Sequence, residues 1–101
     1  MGMSNSILAY EKEADLFEQA LRSPKGIKVH KESESEAVYL IHRCNKFRAL
    51  DRKRNKTIYV EPAHEMHGAS VYDRIQVKRN GTIVKFEKLP PTEQATVEEI
   101  E

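Results

Sequence analysis

A chain of 101 residues, 39% hydrophobic and 33% charged, reads as a single domain with one economical core. Its only cysteine, Cys44, excludes an internal disulfide and a cysteine-rich metal site and fits a reducing cytosol; no apolar run approaches the roughly 20 residues that span a bilayer. The formal net charge of +1 hides a division, because residues 1–22 carry four acids against two bases and residues 87–101 five acids against one, leaving the middle strongly basic.

Residues 1–4 read as disordered vector residues, with Met1-Gly2 ahead of a second Met. The same start also fits the myristoylation pattern M-G-x-x-x-[ST] through Ser6, the weaker reading. No basic-then-apolar secretory signal is present, so a cytoplasmic location is expected. The domain itself is expected over residues 5–89. Ile7, Tyr10, Ala14, Phe17 and Leu21 recur at spacings of three and four, one face of a helix that Asn5 or Ser6 can cap. Ser23-Pro24-Lys25-Gly26 ends it, since Pro lacks a donor and Gly permits the reversal.

Gly26 to Lys31 alternates apolar and polar residues, a strand with Ile27 and Val29 on one face. Ser33-Glu34-Ser35-Glu36 is a capping box that opens a second helix, with Ala37, Leu40, Ile41, Cys44 and Phe47 as its buried stripe and Asn55 as a left-handed C-cap. Thr57-Ile58-Tyr59-Val60, β-branched and aromatic, predicts a strand closed by Pro62. Val71, Asp73 and Ile75 fall on one face of the next strand, with Tyr72 pointing the other way to cover the sheet edge.

Asn80-Gly81 between Arg74–Arg79 and Thr82–Glu87 predicts a type I′ hairpin that pairs Val77 with Val84 and Ile75 with Phe86. Ile75, Val77, Val84 and Phe86 then face the core, while Gln76, Lys78, Ile83 and Lys85 face away. Pro90-Pro91 stops the sheet, and residues 90–101 are expected to form an acidic disordered tail. The order α-β-α-β-β-β describes an α+β domain with two helices on one face of a small, mainly antiparallel sheet.

The basic stretch His42–Lys56 holds seven Lys or Arg against one acid, Asp51. On a helix His42, Lys46 and Lys53 lie opposite the apolar stripe, flanked by Arg43 and Arg54. Arg48 and Asp51 project onto the apolar side. Either they pair at the core edge, or the helix outruns the core and its end projects. A projecting basic end can lie along a phosphate backbone and release counterions. Arg43, Lys46, Arg52, Lys53 and Arg54 would then supply the contacts, with Lys78 and Arg79 of the hairpin as helpers. Against this, basic residues late in a helix complement its dipole, and charged outer faces are ordinary. No zinc-finger spacing, helix-turn-helix or aromatic pair on adjacent strands appears, so any nucleic-acid contact is expected to be directed at the backbone.

Glu61-Pro62-Ala63-His64-Glu65-Met66-His67-Gly68 offers imidazoles and carboxylates, but His64 and His67 stand three apart in a loop. The metalloprotease signature needs a spacing of four on a helix, and a third ligand would have to come from His30 or His42. Cys44 sits on the apolar stripe, where a thiol is an inert core residue. There is no phosphate loop, nucleophile elbow or spaced carboxylate pair, so the chain is read as non-enzymatic, with no cofactor or metal expected. The first alternative is a protein-interaction module, dimeric or not, that uses the N-terminal helix or a sheet edge and binds no nucleic acid. A weaker one is a metal-dependent enzyme at His64 and His67.

Lys25-Gly26-Ile27-Lys28-Val29, Phe47-Arg48-Ala49-Leu50-Asp51-Arg52 and Met66-His67-Gly68-Ala69-Ser70-Val71-Tyr72-Asp73 mark the stretch over which the chain resembles small uncharacterised proteins of tailed phages and bacterial prophages. That stretch runs from about Lys25 to Phe86. The resemblance implies a viral protein inside a bacterial host cell. It supplies no site residues, and it favours a role near DNA, because phage genomes are dense with genes for copying, packaging and regulating it.

Overall fold

The N-terminal helical stretch opens with a 3₁₀ turn, Ile7–Tyr10, which runs directly into α1, Glu11–Arg22. A tighter first turn changes the phase of everything after it. The buried face is therefore Tyr10, Glu13, Phe17 and Ala20, with Ala14 and Leu21 half-buried at its border. Ser23 ends α1 by donating its backbone N–H and its hydroxyl to carbonyls of the last turn. The structure is a computed structural model that describes residues 6–89; the expectations for residues 1–4, for Asn5 as a cap and for the 90–101 tail lie outside it.

Three strands follow: β1, Gly26–His30; β2, Ile75–Asn80; and β3, Ile83–Lys88. They form one antiparallel sheet in the order β1-β3-β2. Gly26 begins β1 at φ +108°, where a Cβ would sit 1.9 Å from the Phe86 carbonyl oxygen, so only glycine allows the strand to start this close to β3. Between β1 and β2 runs α2, Glu34–Ile58, 25 residues and about 37 Å long. Its N-cap Ser33 accepts from the Glu36 N–H.

The helices pack on the sheet face that carries Ile75, Val77, Val84 and Phe86, joined by Ile27 and Val29. Phe17 of α1 stands at the centre of this core. Its ring stacks on Phe47 at 5.7 Å, meets Tyr72 at 5.4 Å and receives the edge of Phe86 at 5.4 Å. The predicted stripe of α2 is buried as read, with Ile41 at its margin. Among the described residues no helix is long and apolar enough to cross a membrane.

Four local expectations are corrected. There is no strand at residues 57–60. α2 continues through Thr57 and Ile58, and the Tyr59 N–H closes it on the Asn55 carbonyl, giving the order α-β-α-β-β. β-branched composition is a weak preference, and Ile58 and Val60, 59% and 73% exposed, have no neighbouring strand to pair with. Asn55 is no left-handed cap, since every residue with positive φ among those described is a glycine. It is helical and buried, and its amide donates to the Ala69 carbonyl at 2.6 Å.

The third correction concerns the hairpin. Asn80 pairs with Ile83, so the turn is Gly81-Thr82, and Val77 lies opposite Phe86, not Val84. A type I′ turn on Asn80-Gly81 needs positive φ at both residues, whereas only Gly81 has it, at +64°. A shift of two residues preserves which side chains face inward. Finally, Val71–Arg74 is a 3₁₀ turn, not a strand. Tyr72 consequently turns into the core, against Phe17 and Phe47, and does not cover a sheet edge.

Candidate nucleic-acid interface

The buried side of α2 changes chemistry halfway along. Ala37, Leu40, Cys44 and Phe47 fill its first half, and the same spacing then buries Asp51 and Asn55. Asp51 is 2% exposed. The Ser70 hydroxyl donates to its Oδ2 at 2.6 Å, and Arg54 donates to its Oδ1 at 2.6 Å. Ser70 also caps the 3₁₀ turn, its Oγ accepting from the Tyr72 N–H while its own N–H donates to Asp73. Asp73 in turn receives Arg52. Burial opposes ionisation of Asp73, but the hydrogen bonds from Arg52 and the Ser70 N–H, with the charges of Arg52 and Arg48, hold its carboxyl below the usual range.

Arg48 and Asp51 both sit at the core edge without pairing to each other. Arg48 reaches past α2 to donate to the Ile75 carbonyl at 2.7 Å, and its second NH group donates to Asn45 at 3.0 Å. The guanidinium lies 5.4 Å from the Phe17 ring centre, with its Nε buried and without a hydrogen-bond partner among the described residues. Desolvation, then repulsion from Arg52, makes its charge less favourable than usual. The end of α2 is therefore fastened to the 69–75 segment and does not project freely.

This fastening occupies much of the expected basic patch. Arg43 forms a bidentate pair with Glu13 at 2.9 and 3.1 Å, donates to the Ala9 carbonyl and lies 4.5 Å over the Tyr10 ring. It joins α2 to α1, and the hydrogen bond to Glu13 raises its proton affinity against the desolvation that would lower it. Arg52 and Arg54 hold Asp73 and Asp51, yet their side chains remain 44% and 54% exposed. Lys46 and Lys53 have no ion-pair partner among the described residues, nor does Lys56 one turn further on. All three lie on the side of α2 turned from the core, Lys46 half-buried and the others exposed.

The hairpin residues do not extend this face. Lys78 pairs with Glu87 at 3.2 Å, and Arg79 reaches Glu34 at the start of α2 and the Gly81 carbonyl. By strand alternation Arg79 lies on the helix side of the sheet, whereas Lys78 and Lys85 lie on its open side. At the other end of the helical layer, an open groove of about 1080 Å³ runs between α1 and the first half of α2, with Glu11, Asp15, Glu18 and Glu36 on its walls. Glu13 and the basic residues Lys12, Lys31 and Arg43 line it too, so acids outnumber bases there by five to three.

The His64–His67 loop is organised by the backbone. His64 Nδ1 accepts from the Met66 N–H at 3.0 Å while its ring stacks on Tyr59 at 4.6 Å, and His67 Nδ1 donates to the Tyr59 carbonyl at 2.6 Å. Among the described residues no three His, Cys, Asp or Glu gather to hold a metal. Cys44 is fully buried, and desolvation pushes its thiol up to about 12. Tyr72 donates its hydroxyl to Glu18 at 2.6 Å; burial first, then that bond, raises it to about 12 as well.

The anchors Glu13, Asn55, Ser70 and Asp73 have no place in a reading based on apolar periodicity. Signals exist for all but Glu13. Asp51 and Asn55 continue the core spacing with polar side chains, and Ser70-Val71-Tyr72-Asp73 is itself a capping-box pattern. Compared with family models, curated proteins and solved structures, the chain finds a match in none of the three.

Proposed function

We propose that the chain is a non-enzymatic accessory domain of phage or prophage type that contacts a nucleic-acid backbone through the outer face of α2's second half. The observation that carries this reading is the row Lys46, Lys53 and Lys56, three lysines without carboxylate partners among the described residues, on the outward side of the second half of a helix fastened from within. Arg52 and Arg54, half-exposed beside their aspartates, add donors at the flank. Such a surface meets phosphates and carries no device for reading bases. Resemblance to phage proteins supports a setting rich in DNA.

The test is anisotropy of labelled duplex and single-stranded DNA titrated with the protein between about 50 and 200 mM salt. Affinity is expected to fall with salt, and the triple change Lys46→Gln, Lys53→Gln, Lys56→Gln to flatten that dependence by about 0.9 in log–log slope for each phosphate that is no longer neutralised. Absence of binding at the lowest salt, or a triple variant indistinguishable from the parent, sinks the reading.

A second reading, a protein-interaction module that binds no nucleic acid, draws on the acidic groove, beside which Leu8 and Tyr39 stand 82% and 55% exposed. A monomeric mass by light scattering, together with no partner retained from host cells, counts against it. The metal-dependent enzyme at His64 and His67 has no donor set of three among the described residues to support it.

A further inference from the structure

The register of the sheet puts three lysines side by side. Lys28 of β1 and Lys78 of β2 are both direct cross-strand neighbours of Lys85 in β3. With adjacent strands about 4.8 Å apart, the row spans about 10 Å. Like charges placed directly opposite destabilise a sheet. Glu87 is the only acid that alternation puts on this face among the described strands, and it pairs with Lys78.

Lysine on an edge strand guards against edge-to-edge pairing, which accounts for Lys28 and Lys78. It does not account for Lys85. That residue lies in the central strand, where there is no edge to protect, and it is half-buried between two other cations. Neither Lys28 nor Lys85 has an ion-pair partner among the described residues. The rows on either side, Gln76 with Glu87 and Asn80 with Ile83 and His30, bring amides and an imidazole beside the lysines.

We propose that the open face of the sheet is a second phosphate-backbone surface, centred on Lys85 and flanked by Lys28 and Lys78, separate from the lysines of α2. The inference rests on the nucleic-acid reading of the domain and adds a site to it. The two surfaces belong to opposite layers, since α2 packs on the other face of the sheet with its own lysines turned outward. Amides beside ammonium groups suit phosphate and sugar oxygens. Among the described residues no Phe, Tyr or Trp stands on this face, and the imidazole of His30 at its end is the one ring there, so recognition is directed at the backbone. Ile83 is its only large apolar side chain among the described strands, too little for insertion into a lipid surface.

The experiment compares the parent with two triple variants of the full chain, Lys28→Gln/Lys78→Gln/Lys85→Gln and Lys46→Gln/Lys53→Gln/Lys56→Gln. Each is titrated with labelled duplex DNA over a salt series and, separately, with vesicles containing phosphatidylserine. The sheet variant is expected to lose at least tenfold in DNA affinity at about 100 mM salt and two to three in log–log slope. Its urea midpoint should not fall, because repulsion has been removed.

Unchanged DNA affinity in the sheet variant, with binding lost in the α2 variant, overturns this inference and leaves the proposed function standing. Loss of vesicle binding alone overturns it in favour of a membrane surface. A parent that binds no DNA overturns the functional reading itself, and this inference with it. A sheet variant whose urea midpoint drops is replaced by the single change Lys85→Gln, whose DNA affinity must then fall at least threefold for the inference to survive.

Discussion

Replacing Ser70 by Ala tests whether the second half of α2 is held from within. Ser70 is 5% exposed, and its hydroxyl donates to a carboxylate that is itself 2% exposed. Deleting the hydroxyl removes a hydrogen bond to a charged acceptor, worth about 1.5–3 kcal/mol, and leaves one oxygen of Asp51 without its donor in a site with little room for water. It also removes the side-chain acceptor that caps the Val71–Arg74 turn, worth about 0.5–2 kcal/mol.

The two effects together come to about 3 kcal/mol, a large share of the roughly 5–15 kcal/mol by which a domain is stable. Urea denaturation followed by circular dichroism measures it directly. The slope should stay near the parent value while the midpoint falls by about 1–3 M. A double-mutant cycle with Asp51→Ala isolates the bond, because that change removes the charge needing a donor and releases Arg54 to water. The coupling energy should reach at least about 1 kcal/mol. A destabilisation below about 0.5 kcal/mol in Ser70→Ala, or effects of the two changes that simply add, refutes the idea that this bond fastens the helix end.

Asp73, whose folded carboxyl is held below the ordinary range, should contribute stability that is fully present above about pH 5 and lost as the pH falls through the ordinary carboxylate value of about 4 and below. The gap in urea midpoint between the parent and Asp73→Asn should therefore be widest near pH 7 and narrow progressively as the pH falls below about 4; a gap independent of pH contradicts it. Cys44, with its thiol pushed up to about 12, should resist a thiol-reactive disulfide reagent at pH 8 in the native protein and react at once in denaturant. Gly26→Ala should cost at least about 2 kcal/mol or prevent folding, since the new methyl group meets the Phe86 carbonyl in a backbone region alanine avoids. A urea midpoint near that of the parent would show that β1 can shift away from β3.

The two helices, β1 and the hairpin, with the inward faces of the strands and of the first half of α2, are visible in the order of the residues because each rests on a repeated apolar spacing; the buried face of α1 is turned toward Glu13 and Ala20 from the one its spacing gives. Errors arise where a local preference meets a tertiary contact. Thr57 and Ile58 favour a strand when considered alone, but α2 runs on through them beyond the anchors at Asp51 and Asn55. Asn80 reads as a turn residue by type, yet only Gly81 needs to leave the ordinary backbone region.

Seven basic residues in His42–Lys56 are plain in the chain. Which of them are already engaged is not, since Glu13 lies 30 positions from Arg43 and Asp73 lies 21 from Arg52. In the sheet, Lys78 and Lys85 fall on one face of the hairpin by alternation, but the arrival of Lys28 beside Lys85, 57 positions away, depends on the β1–β3 register.

The connection from Tyr59 to Ser70 is tied at both ends to one helix. Its entry is fixed by the Tyr59 N–H on Asn55, and its exit by the Asn55 amide on Ala69 and by Ser70 on Asp51. Between these ties Glu61 to Glu65 are exposed. The segment is thus a closed eyelet whose rim can be lengthened without disturbing its base, each doubling of the loop costing only about 0.6 kcal/mol in closure entropy. A peptide tag or fluorescent label threaded in at Glu61–Glu65 would leave α2 and the sheet in register, giving a handle on the molecule.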